Sequence, residues 1–312
     1  MTSTQTRNFT FLVNPASGGG AAPQAVVQVA RLLRDSGARV EVTYSPGPHA
    51  MRDLLAGAMS RDDVVVSVGG DGMLSSLAGP VSRGGGTLAV LPAGRGNDFA
   101  RMLGLPDDAA GQAERLLTGS VRRVDLLSLA LPGAAPRSVA GSAYAGVDAR
   151  AAEIVDRARL PKSLQYPYAA VRSLATYRPG RYRLSVDGVE REYAAATVVV
   201  ANSAYYGKGM KIAPEALIDD GALDVVVIEA ASRLELLRAL PTVYDGAHVG
   251  RPEVTVLSGK RVEVHGDARH PIPLGGDGEP LGALPGLHAE PAVVEIQPGA
   301  LSILADAPAL TR

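Results

Sequence analysis

One short segment combines the residue types that could hold and transfer a phosphate group. Residues 69–72 read Gly-Gly-Asp-Gly and directly follow the run Val64–Val68, which is β-branched almost throughout. Glycines let the backbone approach a ligand closely, and a glycine-rich turn at a helix N-terminus presents N–H groups to phosphate oxygens. Asp71 would then reach a metal ion or a reacting hydroxyl. The simpler alternative is a tight turn in which Asp71 caps the following helix.

Two further loops carry the same kinds of residues. The run Phe9–Val13 leads into Asn-Pro-Ala-Ser-Gly-Gly-Gly at 14–20, and the run Thr87–Leu91 leads into a Gly-, Asn-, Asp- and Arg-containing loop at 92–101. Proline and glycine mark both segments as loops, and the small polar side chains suit phosphate or ribose oxygens. A flexible turn and a helix start capped by Asn97 are the respective alternatives.

Two turns in the second half of the chain carry carboxylates. Residues 219–221 read Asp-Asp-Gly before an apolar run, and one carboxylate there, with carbonyls and waters, would suit Mg²⁺. Residues 275–279 read Gly-Gly-Asp-Gly-Glu, and Glu279 would serve as a general base. The alternatives are a solvated turn and an ordinary hairpin with an Asp-Gly corner.

Composition argues against several other classes of protein. The chain has no cysteine, which excludes disulfides and thiolate chemistry, and its net charge of −1 argues against bulk attraction to nucleic acid. The five histidines show no metal-binding spacing, and there is no Walker A lysine or nucleophile elbow. A polar N-terminus and the lack of about 18 consecutive apolar residues predict a cytoplasmic protein that meets a membrane only at its surface.

The elements that must position these loops alternate in type over the first part of the chain. Apolar strands at 9–13, 40–44, 64–68 and 87–91 are separated by helical patterns, which predicts a doubly wound parallel α/β sheet with ligands at the carboxyl ends of its strands. After Val124 alternating strands predominate, and Arg150–Arg178 alone has helical spacing. These later strands are predicted at 182–186, 194–201, 223–228, 254–257, 261–264 and 293–297.

The change of pattern predicts two domains. The first is an α/β nucleotide-binding domain at 1–126, with the tail at 300–312 as a candidate addition to it. The second is a β-rich, sandwich-like domain at 127–299. No internal repeat or low-complexity linker separates them.

Taken together, the motifs resemble those of the bacterial diacylglycerol kinases and sphingosine-kinase-like lipid kinases, in the right order and over almost the full chain. Asn14-Pro15-x-Ser17-Gly18 looks like the first nucleotide loop of that family, and residues 69–72 look like its signature. Residues 92–101 are similar to its Pro-x-Gly-Thr-x-Asn-Asp-Phe-Ala-Arg loop. The segments 146–149, 213–224 and 277–279 match motifs of its second domain, which takes the lipid substrate.

The resemblance implies ATP-dependent phosphorylation of a lipid hydroxyl, with diacylglycerol as the default substrate and ATP and Mg²⁺ as cofactors. It implies transient contact with the inner membrane surface and no nucleic-acid partner, and it leaves a homodimer open. A sphingoid base, a ceramide or another lipid alcohol is the alternative substrate. A non-catalytic nucleotide- or lipid-binding homologue is the alternative function, although retention of Asp71 and Glu279 argues against it.

The resemblance also assigns roles to residues. Glu279 would accept the proton, Asp71 would lie beside the phosphates, and Asp220 would hold Mg²⁺ with the carbonyls of Leu217 and Ala222. The implied nucleotide-binding residues are Asn14, Pro15, Ser17, Gly18, Thr43, Gly69, Gly70, Asp71, Gly72, Met73, Gly94, Arg95 and Asn97. The implied substrate-binding residues are Asp98, Arg101 and Asp148. Met73 and Arg95 stand where the family usually has threonine; both lose a hydroxyl, and Arg95 would supply positive charge instead.

Overall fold

The computed structural model describes residues 7–15, 17–20, 22–44, 48–94, 96–158, 160, 162–267 and 270–305. These residues form two compact units. Unit 1 comprises the described residues up to Asp125 together with those from Gly299 onward, and unit 2 comprises Leu126–Pro298.

The strands and helices are numbered here in chain order. The strands are β1 (Phe9–Val13), β2 (Val40–Tyr44), β3 (Val64–Gly69), β4 (Thr87–Pro92), β5 (Val121–Ala130), β6 (Arg137–Val139), β7 (Ser142–Gly146), β8 (Gly180–Val186), β9 (Val189–Ala201), β10 (Leu223–Glu229), β11 (Val254–Gly259), β12 (Arg261–Gly266), β13 (Pro273–Gly276), β14 (Glu279–Ala283) and β15 (Ala292–Leu304). The α-helices are α1 (Ala22–Asp35), α2 (Pro48–Ser60), α3 (Asp71–Arg83), α4 (Asp98–Met102), α5 (Ala109–Thr118), α6 (Val147–Arg157), α7 (Lys162–Ala175) and α8 (Arg233–Asp245).

Unit 1 is built on a parallel sheet in the order β2-β1-β3-β4. The last residues of β15 extend it beside β4, also in parallel, through Ser302 and Ile303. Every residue of β1 and β3 is buried, as expected of strands covered by helices on both faces. The predicted doubly wound α/β fold of this part of the chain is therefore confirmed.

Unit 2 is β-rich and antiparallel. Its strands follow the order β14-β13-β7-β9-β8-β12-β15, and β10 pairs with both β9 and β11. The long strand β9 organises this sheet, because its first half pairs with β8 and its second half lies between β7 and β10. The predicted β-rich second part of the fold is confirmed, and the helical spacing of Arg150–Arg178 corresponds to α6 and α7.

The sequence patterns missed several elements of unit 2. Strand β7 reads Ser-Ala-Tyr-Ala-Gly; apart from the tyrosine its residues are small and have little β-propensity, even though four of the five residues are buried. Helix α8 was missed because it contains Pro241 and, among its residues, only Val243 is fully buried. Its start nevertheless carries a local signal, a capping box in which Ser232 and Glu235 bind each other's backbone.

Candidate active site

In unit 1 the loop after β1 is held against the neighbouring strand. The backbone N–H of Asn14 donates to the Val68 carbonyl at 3.0 Å, and a 3₁₀ turn follows at Ser17–Gly19. Gly18 has a φ of 61°, a left-handed conformation that favours glycine. A Cβ placed on Gly69 would lie 3.0 Å from the Ser17 Oγ. The loop at 14–20, which we call the first loop, is therefore in contact with the segment 69–72 where β3 leads into α3, which we call the second loop.

The second loop and the loop at 92–101, which we call the third loop, are in contact through their backbones. The N–H of Ala93 donates to the Gly69 carbonyl at 2.9 Å, continuing the pairing of β3 and β4. A Cβ on Gly94 would clash with the Gly70 Cα, and one on Gly70 would lie 3.3 Å from the Gly94 Cα. Glycine is thus required here by the packing of the two loops.

Asp71 is the first residue of α3, and Gly70 is its N-cap. The Asp71 Oδ1 accepts a hydrogen bond from the Phe99 N–H at 3.2 Å, so its carboxylate reaches the third loop. A Cβ on Gly96 would lie 2.9 Å from the Asp71 Oδ2 and 3.2 Å from the Asp98 Oδ2. The simpler alternative, Asp71 as a helix cap, is therefore wrong, and two carboxylates lie close to Gly96.

Asn97 organises its own loop. It has a φ of 54°, its Oδ1 accepts from the Gly94 N–H at 2.9 Å, and its Nδ2 donates to the Gly94 carbonyl at 3.2 Å. Asn97 occupies the N-cap position of α4, as the alternative interpretation had it, but its side chain makes no capping hydrogen bond to that helix. A left-handed asparagine is locally tolerated, and here the side-chain amide closes the turn.

The other predicted residues of unit 1 are placed as follows. Thr43 lies near the carboxyl end of β2, opposite Leu12 in the register with β1. Met73 is buried beneath Gly69, whose added Cβ would lie 2.9 Å from the Met73 Cβ. Asp98 is buried and Arg101 is exposed, while Pro15 lies in the loop after β1 and Gly72 in the first turn of α3. Arg95 lies outside the described residues.

In unit 2, Glu279 follows a tight hairpin turn between β13 and β14. The two corner residues, Asp277 and Gly278, have φ values of 47° and 88°, as a two-residue type I′ turn requires. The Asp277 carboxylate accepts N–H donors from Ala140 at 2.7 Å, Gly141 at 2.9 Å and Ser142 at 3.0 Å. Asp277 anchors the turn, and Glu279 is exposed beside it.

Tyr144 connects this turn to a buried polar cluster. Its hydroxyl accepts from the Gly278 N–H at 3.0 Å, and its ring packs edge-to-face on Tyr206 with ring centres 5.8 Å apart. Burial is the main cause that raises the pKa of both tyrosines, so their hydroxyls stay protonated and available as donors.

Asp148 lies in the first turn of α6 and belongs to the same cluster. It accepts a hydrogen bond from the Thr197 hydroxyl at 2.7 Å and another from the Tyr206 hydroxyl. Burial raises the pKa of Asp148, and the two hydroxyl donors lower it. Sequence reasoning missed Thr197 and Tyr206, because neither lies in a segment with a recognisable motif.

An apolar cavity opens beside Asp148, entirely within unit 2. Its empty volume, including the part open to solvent, is about 960 Å³. Helices α6, α7 and α8 and strands β9 and β10 form its wall. Apolar lining residues include Ala151, Ala170, Leu174, Leu236, Leu240 and Val243. The sequence patterns did not indicate this cavity, since its wall comes from segments far apart in the chain.

The turn predicted to bind magnesium is closed by a hydrogen bond between its own residues. The Asp220 Oδ1 accepts from the Ala222 N–H at 3.0 Å, and Gly221 has a φ of 72°. One carboxylate with the Leu217 and Ala222 carbonyls is a donor set that Mg²⁺ accepts when waters complete it. Among the described residues there is no cluster of three or more His, Asp or Glu side chains that could hold a metal ion. Mg²⁺ at Asp220 stays a prediction.

Across the described ranges, none of the helices has both the length and the apolar character needed to cross a membrane.

Comparison with known proteins covers nearly the whole chain. Residues 8–129 match the family described as the diacylglycerol kinase catalytic domain. Residues 141–305 match the one described as the YegS C-terminal NAD kinase beta sandwich-like domain. A diacylglycerol kinase of Mycobacterium tuberculosis is 32% identical over 259 residues, which is 82% of this chain and 84% of the relative.

Two further comparisons point the same way. A diacylglycerol kinase of Bacillus subtilis is 27% identical over 204 residues, covering 64% of this chain and 65% of the relative. The crystal structure of a diacylglycerol kinase from Bacillus anthracis str. Sterne has a TM-score of 0.70 and 19% identity, covering 99% of this chain and 100% of that one. At this identity the structure shows a shared fold.

Proposed function

Because this chain belongs to the diacylglycerol kinase family of lipid kinases, we propose that it phosphorylates the free hydroxyl of diacylglycerol to form phosphatidic acid. Family membership confirms the predicted enzyme class, a lipid kinase that uses ATP. The choice of diacylglycerol is supported by the names of the relatives from M. tuberculosis and B. subtilis.

The observation that carries the proposal is the apolar cavity of unit 2 with Asp148 in its wall. Acyl chains gain free energy on leaving water for such a cavity, at roughly 0.8 kcal/mol per buried CH₂. The Asp148 carboxylate, held by the Thr197 and Tyr206 hydroxyls, offers an acceptor to a free lipid hydroxyl at one end of the cavity. An amphiphile with two apolar chains and a small polar head fits both parts.

We assign the nucleotide to the three loops of unit 1. Their glycines expose backbone N–H groups to the phosphates, and Asn14, Ser17 and Thr43 are the polar candidates for the rest of the nucleotide. Asp71 and Asp98 are the candidates to bind Mg²⁺ that arrives with ATP. When bound, Mg²⁺ would neutralise charge on the transferred phosphate.

Glu279 is proposed as the base. As the lipid oxygen bonds to the γ-phosphorus and the bond from that phosphorus to the ADP oxygen breaks, the Glu279 carboxylate takes the hydroxyl proton. Two observations support this role. The hydrogen bonds of Asp277 fix the backbone of the turn next to Glu279, and the Glu279 side chain is exposed, so a substrate can reach its carboxylate.

The test is a labelled-ATP assay against diacylglycerol, monoacylglycerol, ceramide and sphingosine in mixed micelles. We expect kcat/KM to be at least tenfold higher for diacylglycerol than for the single-chain lipids monoacylglycerol and sphingosine, since two chains bury more apolar surface than one. A preference for sphingosine or ceramide would replace the proposed substrate. Absence of transfer to every lipid alcohol would support the non-catalytic alternative.

A further inference from the structure

Three large apolar side chains of helix α7 are exposed on one side of the helix. Leu164, Tyr168 and Val171 are spaced i, i+4 and i+7, so they lie on one face, and each is between 39 and 58% exposed. The opposite face contains Ala169, Ser173 and Leu174, which are buried. An ordinary surface helix carries polar residues on its solvent side.

Helix α8 shows the same arrangement. Leu234, Leu237 and Tyr244 follow one face and are between 40 and 55% exposed, while Leu236 and Leu240 line the cavity from the other side. The two helices contact each other and both wall the cavity. We call the six exposed residues the outer face of α7 and α8: Leu164, Tyr168, Val171, Leu234, Leu237 and Tyr244.

The charge beside the α7 part of this outer face is positive, whereas α8 carries two basic and two acidic residues. The segment 150–178 contains six basic and two acidic residues, although the whole chain has a net charge of −1. Arg150, Arg157 and Arg172 line a groove between α6 and α7 together with Tyr168, over which the Arg172 guanidinium lies 5.7 Å from the ring centre. Glu153 also lines the groove, 3.5 Å from Arg150. Apolar side chains flanked by basic ones complement an anionic lipid surface.

We propose that the outer face of α7 and α8 docks on an anionic lipid bilayer and brings the cavity of unit 2 to its substrate. The inference rests on the proposed function, because a substrate with two acyl chains leaves a bilayer most easily through continuous apolar contact. A second copy of the chain is disfavoured as the occupant, since two such faces would bring their basic groups together.

The first experiment measures binding of the full chain to vesicles by sedimentation. The vesicles are phosphatidylcholine with and without phosphatidylglycerol, at low and high salt. We expect binding to require phosphatidylglycerol and to weaken with salt. The double variant Leu164→Gln with Val171→Gln should bind about tenfold more weakly, because two exposed apolar side chains no longer enter the interface.

Two further variants locate the effect. Val27→Gln with Leu32→Gln changes two exposed apolar residues of α1 and should bind vesicles like the parent. Arg157→Gln should weaken binding to anionic vesicles several-fold at low salt and change it little at high salt, where the charge is screened. Equal binding of the α7 double variant and the parent would overturn the proposal, as would a parent that binds no vesicles.

Kinetic assays and light scattering distinguish docking on a bilayer from dimerisation through the same face. The α7 double variant should lose kcat/KM on diacylglycerol in vesicles and keep the parental value on a short-chain diacylglycerol dissolved as monomers. Light scattering that shows a parent dimer and a monomeric double variant would assign this face to a second copy and overturn docking. Sedimentation needs no turnover, so the wrong choice of substrate would leave the docking result standing.

Discussion

The Asp71 carboxylate bridges two loops, which a helix cap would not do. An asparagine side chain at this position could still accept the Phe99 N–H through its Oδ1, so Asp71→Asn should fold normally. If Asp71 acts on the phosphates or their metal ion, kcat should fall by at least about 10²-fold, because a fixed negative charge is lost from the site. Turnover assays and thermal melts of the variant test both expectations.

Asp108→Asn is the matched control for Asp71→Asn. Asp108 caps α5 by accepting the Gly111 N–H at 2.8 Å, and asparagine caps a helix about as well. This variant should keep parental activity. Near-parental turnover by Asp71→Asn would assign Asp71 a role in loop structure alone.

Glu279 differs from an ordinary hairpin carboxylate only if it takes a proton. Glu279→Gln keeps the shape and removes the base, so kcat should fall roughly 10²–10⁴-fold with little change in the KM for ATP. Steady-state kinetics measure both values. Glu190→Gln is the control, because Glu190 is exposed near the tip of the β8–β9 hairpin. A Glu279→Gln variant within a few-fold of the parent would move the base to Asp71 or to water.

Two hairpins of unit 2 have the same construction and allow a comparison of elements. The β8–β9 turn also has Asp-Gly at its corner, with Asp187 at a φ of 48°, and the Asp187 carboxylate accepts the Lys260 and Arg261 N–H groups. Asp277 does the same for three N–H groups beside Glu279. Anchoring a hairpin through its aspartate is therefore structural in both places.

Removing each anchor should separate stability from positioning. Asp187→Ala should cost about 1 kcal/mol of unfolding free energy, and Asp277→Ala about 2–3 kcal/mol, since it leaves more N–H groups unpaired. When both variants are assayed well below their melting temperatures, only Asp277→Ala should have a lower kcat than the parent, because the turn that carries Glu279 loses its position. Urea unfolding and kinetics at low temperature measure the two effects. Equal kcat in both variants would show that Glu279 needs no anchor.

The cavity walled by α6, α7 and α8 should set the affinity for acyl chains. Ala239→Phe adds a ring inside it, so the KM for long-chain diacylglycerol should rise about tenfold while the KM for ATP stays the same. The measurement is steady-state kinetics in mixed micelles. Ala110→Phe, on an exposed position of α5, should change neither constant. An unchanged lipid KM in Ala239→Phe would place the acyl chains elsewhere.

At the scale of the whole molecule, an ion bound only by the folded chain raises its stability. If Asp220 holds Mg²⁺, added Mg²⁺ should raise the melting temperature of the parent by several degrees, and Asp220→Ala should lose that increment. The quantity to compare is the rise in melting temperature on adding Mg²⁺. The absolute melting temperature is less informative, because Asp220→Ala also loses the hydrogen bond from the Ala222 N–H. Differential scanning calorimetry across a Mg²⁺ series measures it.

The neighbouring residue provides the control for Asp220. Asp219→Ala removes an adjacent exposed carboxylate and should keep the Mg²⁺ increment. A parent whose melting temperature ignores Mg²⁺, or an Asp220→Ala variant that responds as the parent does, would contradict a site at this turn.

The sequence by itself determined the α/β fold of unit 1 and the family. Strands such as β1 and β3 are buried along their whole length, so they read as continuous apolar runs, and each leads directly into a polar, glycine-rich loop. Such patterns depend only on residues that are neighbours in the sequence, so they can be recognised without the tertiary structure. The same holds for α6 and α7, whose helical spacing was visible, and for the Asp-Gly corner before Glu279.

Only the tertiary structure decided which residues meet. The contact of Gly70 with Gly94, the bond from Phe99 to Asp71 and the Asn97 bridge depend on the register of β3 and β4. The sequence patterns missed β7 because small residues that pack between two strands have little propensity of their own.

The cavity of unit 2 depends on the tertiary structure most of all. Thr197 and Tyr206 meet Asp148 only once β9 and the loop after it pack against α6. Contacts between residues some 50 positions apart carry no local signal. They arise when the burial of apolar faces fixes how strands and helices pack, and that packing decides which polar groups are left to line the space between them.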